Sequence, residues 1–272
     1  MDQQPKADVS RRSFLTTGAA GAVAVGVGAT EAGAQAVSWD QTADVVIVGA
    51  GVAGLPAAIT ARDLGASVIV VEENFDIGGR GMLSGGRVQL GGGHALQNKF
   101  NIKDNADQVF LDWVRHDDAE SRYSDRDLVR VYADENVSTY QFLLDNGVEF
   151  IEKPIGPVDA SSLPRIFVTK EWHIPAEVVA PHRNRNGSGL VRRLAESARK
   201  KGTQILLTHK MTRIIREKPL SGRVLGIEVK ADGKNINIRA TKGVIVATGG
   251  HTGNVNFRRM FDPRLTEEYQ QA

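Results

Sequence analysis

The run Asp44-Val-Val-Ile-Val-Gly49-Ala-Gly51-Val-Ala-Gly54 constrains this chain more than any other segment. A β-branched apolar stretch stops at a glycine-rich turn and a helical pattern follows. A second apolar run, Ser67-Val-Ile-Val-Val, then ends at Glu72, 23 residues after Gly49 (72 minus 49). Strand, turn, helix and strand in this order form the context a dinucleotide site requires. Gly49 permits the tight turn, Gly51 lets backbone amides approach a pyrophosphate, and Gly54 lets the helix pack closely on the strand. Ala50, Val52 and Ala53 complete the turn, whose phosphates face the positive end of the helix dipole. Glu72 can accept hydrogen bonds from ribose hydroxyls, which argues against the 2′-phosphate of NADP and leaves FAD and NAD. With 29 glycines in 272 residues, a GxGxxG alone matches by chance. Here the flanking elements and the acid agree, against the alternative of a turn with a packing role only.

The chain is long enough to bury a sizeable core and to hold one large domain or one and a half. Its 34 basic and 32 acidic residues leave a net charge of +2, and without a long basic run nucleic acid is not an expected partner. The absence of cysteine excludes disulfides, iron–sulfur ligation, cysteine nucleophiles and a flavin–dithiol relay within the chain. No HExxH, GxSxG elbow or P-loop lysine occurs in it. Acid pairs such as Asp117-Asp118 read as solvated charge.

Ser10-Arg11-Arg12-Ser13-Phe14-Leu15 resembles the twin-arginine export consensus, with Thr16 where a lysine is common. It precedes a weakly apolar Gly/Ala stretch from Thr17 to Thr30, too short and glycine-rich for a membrane span, and Ala34-Gln35-Ala36 supplies a cleavage site. Residues 1–36 are therefore expected to be a signal peptide and 37–272 the functional domain, exported folded to the periplasm. Removing Lys6, Arg11 and Arg12 with Asp2, Asp8 and Glu31 leaves the charge at +2. The alternative is a disordered tail.

Downstream, Gly78-Gly79-Arg80-Gly81-Met82-Leu83-Ser84-Gly85-Gly86 concentrates backbone freedom, either for close approach to a ligand or as an irregular connection. Helical spacing covers Ala106–Val114. Ser124-Asp-Arg-Asp127 reads as a capping box opening one long helix to Asn146-Gly147. Val148–Pro181, punctuated by prolines, reads as loop-rich, and a helix spans about Ser188–Lys201. Strands are expected at Gln204–Thr208, Met211–Glu217, Val224–Val229 and Asn235–Arg239, with Asp232-Gly233 as a two-residue hairpin turn. Gly243–Val246 is a separate buried strand leading into Ala247-Thr248-Gly249-Gly250.

This ensemble resembles the FAD-dependent oxidoreductase family of fumarate reductase and succinate dehydrogenase flavoproteins, which includes 3-ketosteroid dehydrogenases and urocanate reductase. The matching pieces are Val46–Gly54, Val70-Val-Glu72-Glu73, Gly78-Gly79 with Ser84-Gly-Gly86, and Val246–Gly250. The resemblance implies an α/β fold: a Rossmann-type, mostly parallel sheet with an antiparallel three-stranded meander beside it. It also implies FAD as cofactor, a glycine-dense segment wrapped around the flavin diphosphate and ring, and a small-molecule substrate reduced or dehydrogenated across a C=C or CH–CH pair. An electron donor or acceptor protein is an implied partner. Relatives that bind FAD covalently carry a histidine in the segment matching Arg80–Ser84. None stands there, the nearest being His94, so non-covalent FAD is expected. Pro56 is expected to remove one backbone hydrogen bond early in the nucleotide helix and distort it slightly.

The resemblance places the family's capping domain, catalytic arginine and second flavin contact beyond Ala272, so catalytic residues are unassigned. It implies an FAD-binding portion of an exported oxidoreductase that pairs with a complementary C-terminal piece. The alternatives are a truncated or split non-catalytic fragment and an NAD-dependent dehydrogenase. The histidines at 94, 116, 173, 182, 209 and 251 read as surface or satisfied loop residues. His182-Arg183-Asn-Arg185 reads as a solvated basic loop, with lining of an anionic substrate pocket as the alternative.

Overall fold

A computed structural model describes residues 37–115, 124–157, 162–172, 186–250 and 253–268. The twin-arginine segment, Ala34–Ala36, His116, Asp117-Asp118, His173, His182-Arg183-Asn-Arg185 and His251 lie outside the described residues. No helix among the described residues is long and apolar enough to cross a membrane.

The first unit forms as its pattern dictates. Strand β1 (Gln41–Val48) leads through the glycine turn to helix α1 (Gly54–Asp63) and strand β2 (Val68–Val71). The two strands pair in parallel with Val45–Val48 against Val68–Val71. Pro56 sits in the first turn of α1, where amides have no intrahelical partner. Leu55 N and Ala57 N still donate to Gly51 O and Ala53 O at 3.0 and 3.3 Å. Pro56 itself has no amide hydrogen, so the one bond expected to be missing from this series, to Val52 O, is absent while its neighbours keep theirs.

The glycine-dense segment holds a short helix, α2 (Gly79–Leu83), and a strand, β3 (Arg87–Gln89). Helices α3 (Ala95–Lys99) and α4 (Ala106–Arg115) follow. The single long helix expected to 146 is two, α5 (Arg126–Asp134) and α6 (Asn136–Asp145). Asn136 explains the break. Its amide nitrogen donates back to Tyr132 O at 2.6 Å, while its oxygen accepts from Gly91 N at 2.9 Å; such side-chain bonds compete with the helical ladder. The helix start differs too: Asp125, not Ser124, is the cap, accepting from the amides of Asp127 and Leu128.

Within the loop-rich stretch, β4 (Ile166–Val168) pairs antiparallel with β3 as a small second sheet. Helix α7 (Gly187–Lys200) then leads to β5 (Gln204–Leu206), β6 (Lys210–Lys218), β7 (Ser221–Ala231) and β8 (Lys234–Val246). Asp232 and Gly233 make the two-residue turn with φ +48° and +77°. The sheet order is β5-β2-β1-β8-β7-β6, parallel from β5 to β8 and antiparallel beyond. The meander is thus continuous with the parallel sheet, because the two strands expected at 235–239 and 243–246 are one. The first half of β8 pairs with β7 and the second half with β1. At the β1 bulge, Asp44 accepts from Ser67 N (2.9 Å), Ser67 Oγ (3.1 Å) and Thr241 Oγ1 (2.9 Å), tying three strands together. The Ser67 amide and the Thr241 hydroxyl hold its carboxyl down at about 2.

One sheet face buries Ile47 and Val70 against Leu55 and Ile59 of α1 and Val191 and Leu194 of α7. The other buries Val46, Val48, Ile69 and Val71 with Ile227, Val229 and Ile238 of the meander. Packing of this kind is the main stabilising term for both layers.

A buried ion cluster fixes the β4 region. Arg165 donates to Asp104 through Nε (2.7 Å) and Nη2 (2.9 Å) and to Asp112 through Nη1 (2.6 Å), its side chain wholly buried. Burial alone raises the pKa of both carboxyls, but hydrogen bonds from Arg165 and Gln97 to Asp104, and from Ser162 and Arg165 to Asp112, bring each below the usual value. Breaking such a cluster on one side leaves buried charge uncompensated, a loss of about 3–5 kcal/mol. Arg165→Met is expected to lower Tm by roughly 6–20 °C, from about 2–4 °C per kcal/mol for a domain of this size. A carboxyl depressed in the folded state stabilises above the unfolded value of 3.8 and loses that contribution as pH falls through the folded value. Thermal melts below about pH 4 should therefore fall more steeply for the wild-type chain than for Arg165→Met.

Candidate functional site

Four segments meet where the parallel strands end. Gly49–Ala53 follows β1, Glu72–Asn74 follows β2, Gly78–Gly81 opens α2, and Ala247–Gly250 follows β8. Together with His209 and Met211 they line a cleft of about 350 Å³, with Ala50 buried beneath it. Ligands in open α/β sheets bind at the carboxyl ends of the strands, and the end of α1 abuts this cleft.

Backbone geometry shapes it. Gly49 has φ +105°, and a Cβ there would lie 2.4 Å from Ala247 O. A Cβ on Gly54 would lie 1.9 Å from Gly49 O, so the helix starts against the turn. Gly51, by contrast, faces space, its nearest neighbour being Gly78 O at 3.9 Å. The first and third glycines of the motif serve packing, and the middle one leaves a cradle that a side chain would fill.

Glu72 is 7% exposed. Its Oε2 accepts from Ala50 N at 2.9 Å, and its Oε1 from Asn74 N and Nδ2 at 3.0 and 2.9 Å. A carboxylate offers about four lone-pair sites; three are taken by the protein, so the group is held rigidly with capacity left on Oε2. Glu73 is more exposed and pairs with Lys210 at 3.2 Å. Arg80 lines the cleft.

Other expected site residues lie behind the cleft wall. Ser84 Oγ donates to Gly81 O (2.8 Å) and accepts from Gly86 N (3.2 Å), while Gly86 O accepts from Thr169 N (3.0 Å). Met82 packs on the main core. Gly85 and Gly86 join α2 to β3, so Met82, Ser84, Gly85 and Gly86 are not among the residues that line the cleft. His94 is buried, stacked on Tyr140 at 4.2 Å and edge-on to Phe167 at 4.9 Å. Burial lowers its pKa.

Sequence pattern assigns no part to Asn74 or Met211 and reads His209 as a surface or loop residue, yet all three line the cleft. Asn74, two residues after Glu72, carries a usable local signal. The other two arrive through the parallel pairing of β5 with β2 and have none.

The glycine geometry has a measurable consequence. Gly54→Ala should lower the Tm of the ligand-free chain through overpacking of about 1–3 kcal/mol. Gly51→Ala, in ordinary van der Waals contact only, should melt within about 2 °C of wild type, as surface changes of under about 0.5 kcal/mol do. Equal melting of the two variants would refute this division of labour.

A family profile described as an FAD binding domain matches residues 44–270. The chain is 30% identical to the acrylate reductase flavoprotein subunit of Shewanella woodyi, over 96% of this chain and 50% of that one. It is 29% identical to urocanate reductase of Eggerthella lenta, over 83% of this chain and 34% of that one. It is 31% identical to 3-oxo-5-alpha-steroid 4-dehydrogenase of Comamonas testosteroni, over 72% and 39%. Among solved structures, 3-ketosteroid-Δ4-(5α)-dehydrogenase from Rhodococcus jostii RHA1 superposes with a TM-score of 0.72 at 28% identity, covering 85% of this chain and 50% of that one. The open form of a flavocytochrome c3 fumarate reductase shares the fold, with a TM-score of 0.69 at 23% identity, covering 84% and 37%. The chain spans about half the length of these relatives or less. The cradle at Gly51, the buried acid after β2 and the glycine turn after β8 fit the FAD of that profile. This chain belongs to the FAD-binding-domain family of FAD-dependent oxidoreductases.

Proposed function

We propose that this chain is the FAD-binding portion of a fumarate-reductase-like oxidoreductase that is exported and holds its flavin non-covalently. The observation that carries the reading is the fixed carboxylate of Glu72, with spare capacity on Oε2, beside the open cradle at Gly51. When bound, FAD supplies hydride transfer at flavin N5, to or from a C=C or CH–CH pair of a small-molecule substrate.

The chain's own residues bind and orient. Backbone amides of Gly51, Val52 and Ala53 at the start of α1 receive the pyrophosphate, favoured by the helix dipole. Glu72 accepts from a ribose hydroxyl. Gly78–Gly81, with Arg80, covers the diphosphate, and Ala247–Gly250 borders the cofactor from β8. Ser84–Gly86 hold α2 in place from behind. Non-covalent attachment is supported by the lack of histidine in Arg80–Ser84 and by the burial of His94 in an aromatic stack. The acrylate and urocanate reductases among the relatives support an unsaturated small-molecule substrate.

FAD retention tests this reading. Purified full chain should carry flavin that acid denaturation releases completely. Loss of a charge-assisted acceptor that also orders Ala50 and Asn74 costs roughly 1.5–3 kcal/mol. Glu72→Ala should thus weaken FAD binding about tenfold or more, while Glu73→Ala, at the exposed rim, should change it less than threefold. Flavin retention equal in both variants would discard Glu72 as the anchor.

Export rests on the Ser10–Leu15 motif and the Ala34-Gln35-Ala36 site. Changing Arg11 and Arg12 to Lys should leave full-length precursor in the cytoplasm. Unaltered export of that variant, read by fractionation and N-terminal sequencing, would dismiss the twin-arginine route.

A further inference from the structure

The sheet order fixes how a dinucleotide lies across the cleft. From β8 to β5 the strand ends present Ala247–Gly250, then Gly49–Ala53, then Glu72–Asn74, then His209 in the β5–β6 connection, with Met211 at the start of β6 lining the same cleft. With phosphates at the β1 turn and ribose at Glu72, the next position along the same line falls at the β5–β6 connection. The adenine base therefore arrives beside His209 and Met211.

His209 is set there by its backbone. Its amide donates to Glu72 O at 2.8 Å, and Thr208 N donates to Asn74 O at 3.0 Å, so the connection is stitched to the segment that carries the ribose acid. Thr208 turns the chain with φ +57°, a left-handed value uncommon for a β-branched residue. The half-buried His209 ring places Nδ1 2.7 Å from Leu207 O. A carbonyl only accepts, so Nδ1 carries the proton, and Nε2 of the neutral ring is an acceptor. The neighbouring charged groups, Lys210 and Glu73, pair with each other at 3.2 Å. Met211 adds a polarisable apolar wall suited to a flat aromatic ring.

We infer that His209 is the purine-discriminating residue of this site, its Nε2 accepting from the 6-amino group of adenine. The inference rests on the FAD reading above and deepens it. A 6-oxo purine would turn an acceptor toward Nε2 and lose the bond, a difference of roughly tenfold in affinity for one hydrogen bond. Neither sequence periodicity nor the glycine motif assigns any part in binding to this histidine.

The test uses the full chain loaded with FAD, with ADP and IDP as displacing probes and flavin fluorescence as the readout. ADP should displace FAD at about tenfold lower concentration than IDP. His209→Ala should shrink that ratio to within twofold, because FAD and ADP lose the same contact and IDP then displaces the weakened flavin at about tenfold lower concentration, and His209→Gln, which can present an amide oxygen near the Nε2 position, should restore part of it. Equal displacement by ADP and IDP in the wild-type chain overturns the inference, as does a preference that survives His209→Ala. If FAD is retained but neither nucleotide displaces it, the purine end is not anchored here and the inference fails while the FAD reading stands. If FAD itself is not retained, both fail.

Discussion

The site depends on the convergence of β2, β1 and β8 at Gly49. Gly49 N donates to Val71 O at 2.7 Å and Ala247 N donates to Val48 O at 2.8 Å, so β2 and β8 are both bonded to β1 at Gly49 and the residue before it. The positive φ of Gly49 then turns the chain into α1 without a side chain striking Ala247. Apart from His209 and Met211, which follow β5, the cleft-lining segments leave one of these strands or pack against the turn. A change that pushes the strands apart would displace the Gly51 cradle, Glu72 and the β8 turn together, because they share this junction.

Helix α7 acts as the second support. Gly187 approaches so closely that a Cβ there would lie 2.0 Å from Gly81 O, and Val191 sits under Gly78 and Gly81. Arg192 pairs with Asp76 at 2.5 Å, fixing the segment between β2 and α2. The glycine-dense region is thus clamped from below rather than loose. Its conformational freedom is used for close approach between backbones, and the entropy such glycines lose on folding is offset by packing against α7. On the far side, Arg165, Asp104 and Asp112 do comparable work, fixing β4 and the Gly91–Gly93 connection through Gly92 N and Gln97. That cluster owes its strength to burial, which makes it sensitive to loss of any single partner.

Much of the fold was legible because it is written in local pattern. The run from Asp44 to Gly54, the acid at 72 and the Asp232-Gly233 turn each carry their own spacing. They reappear as β1, α1, the end of β2 and the β7–β8 hairpin. The misreadings came from interactions between distant residues. Asn136 breaks a helix because Gly91, 45 positions away, offers its amide. The strand at 234–246 reads as two segments because its apolar pattern changes where its partner changes from β7 to β1. The pairing of β3 with β4 joins residues about 80 apart (168 minus 87) with no periodicity to announce it.

The same division holds for the site. By itself the sequence determined that a glycine turn of dinucleotide type exists, that an acid follows β2 and which glycine-rich segments lie near them. Those features depend on backbone permissiveness and charge at fixed short spacing, which a linear chain displays. Only the tertiary structure decided that Glu72 spends three of its lone-pair sites on Ala50 and Asn74. It alone separated the packing glycines 49 and 54 from the open cradle at 51. It also brought His209 to the cleft, because the parallel pairing of β5 with β2 joins residues more than 130 apart (204 minus 69). Such pairing is settled by burial of both sheet faces, and no window of sequence contains it.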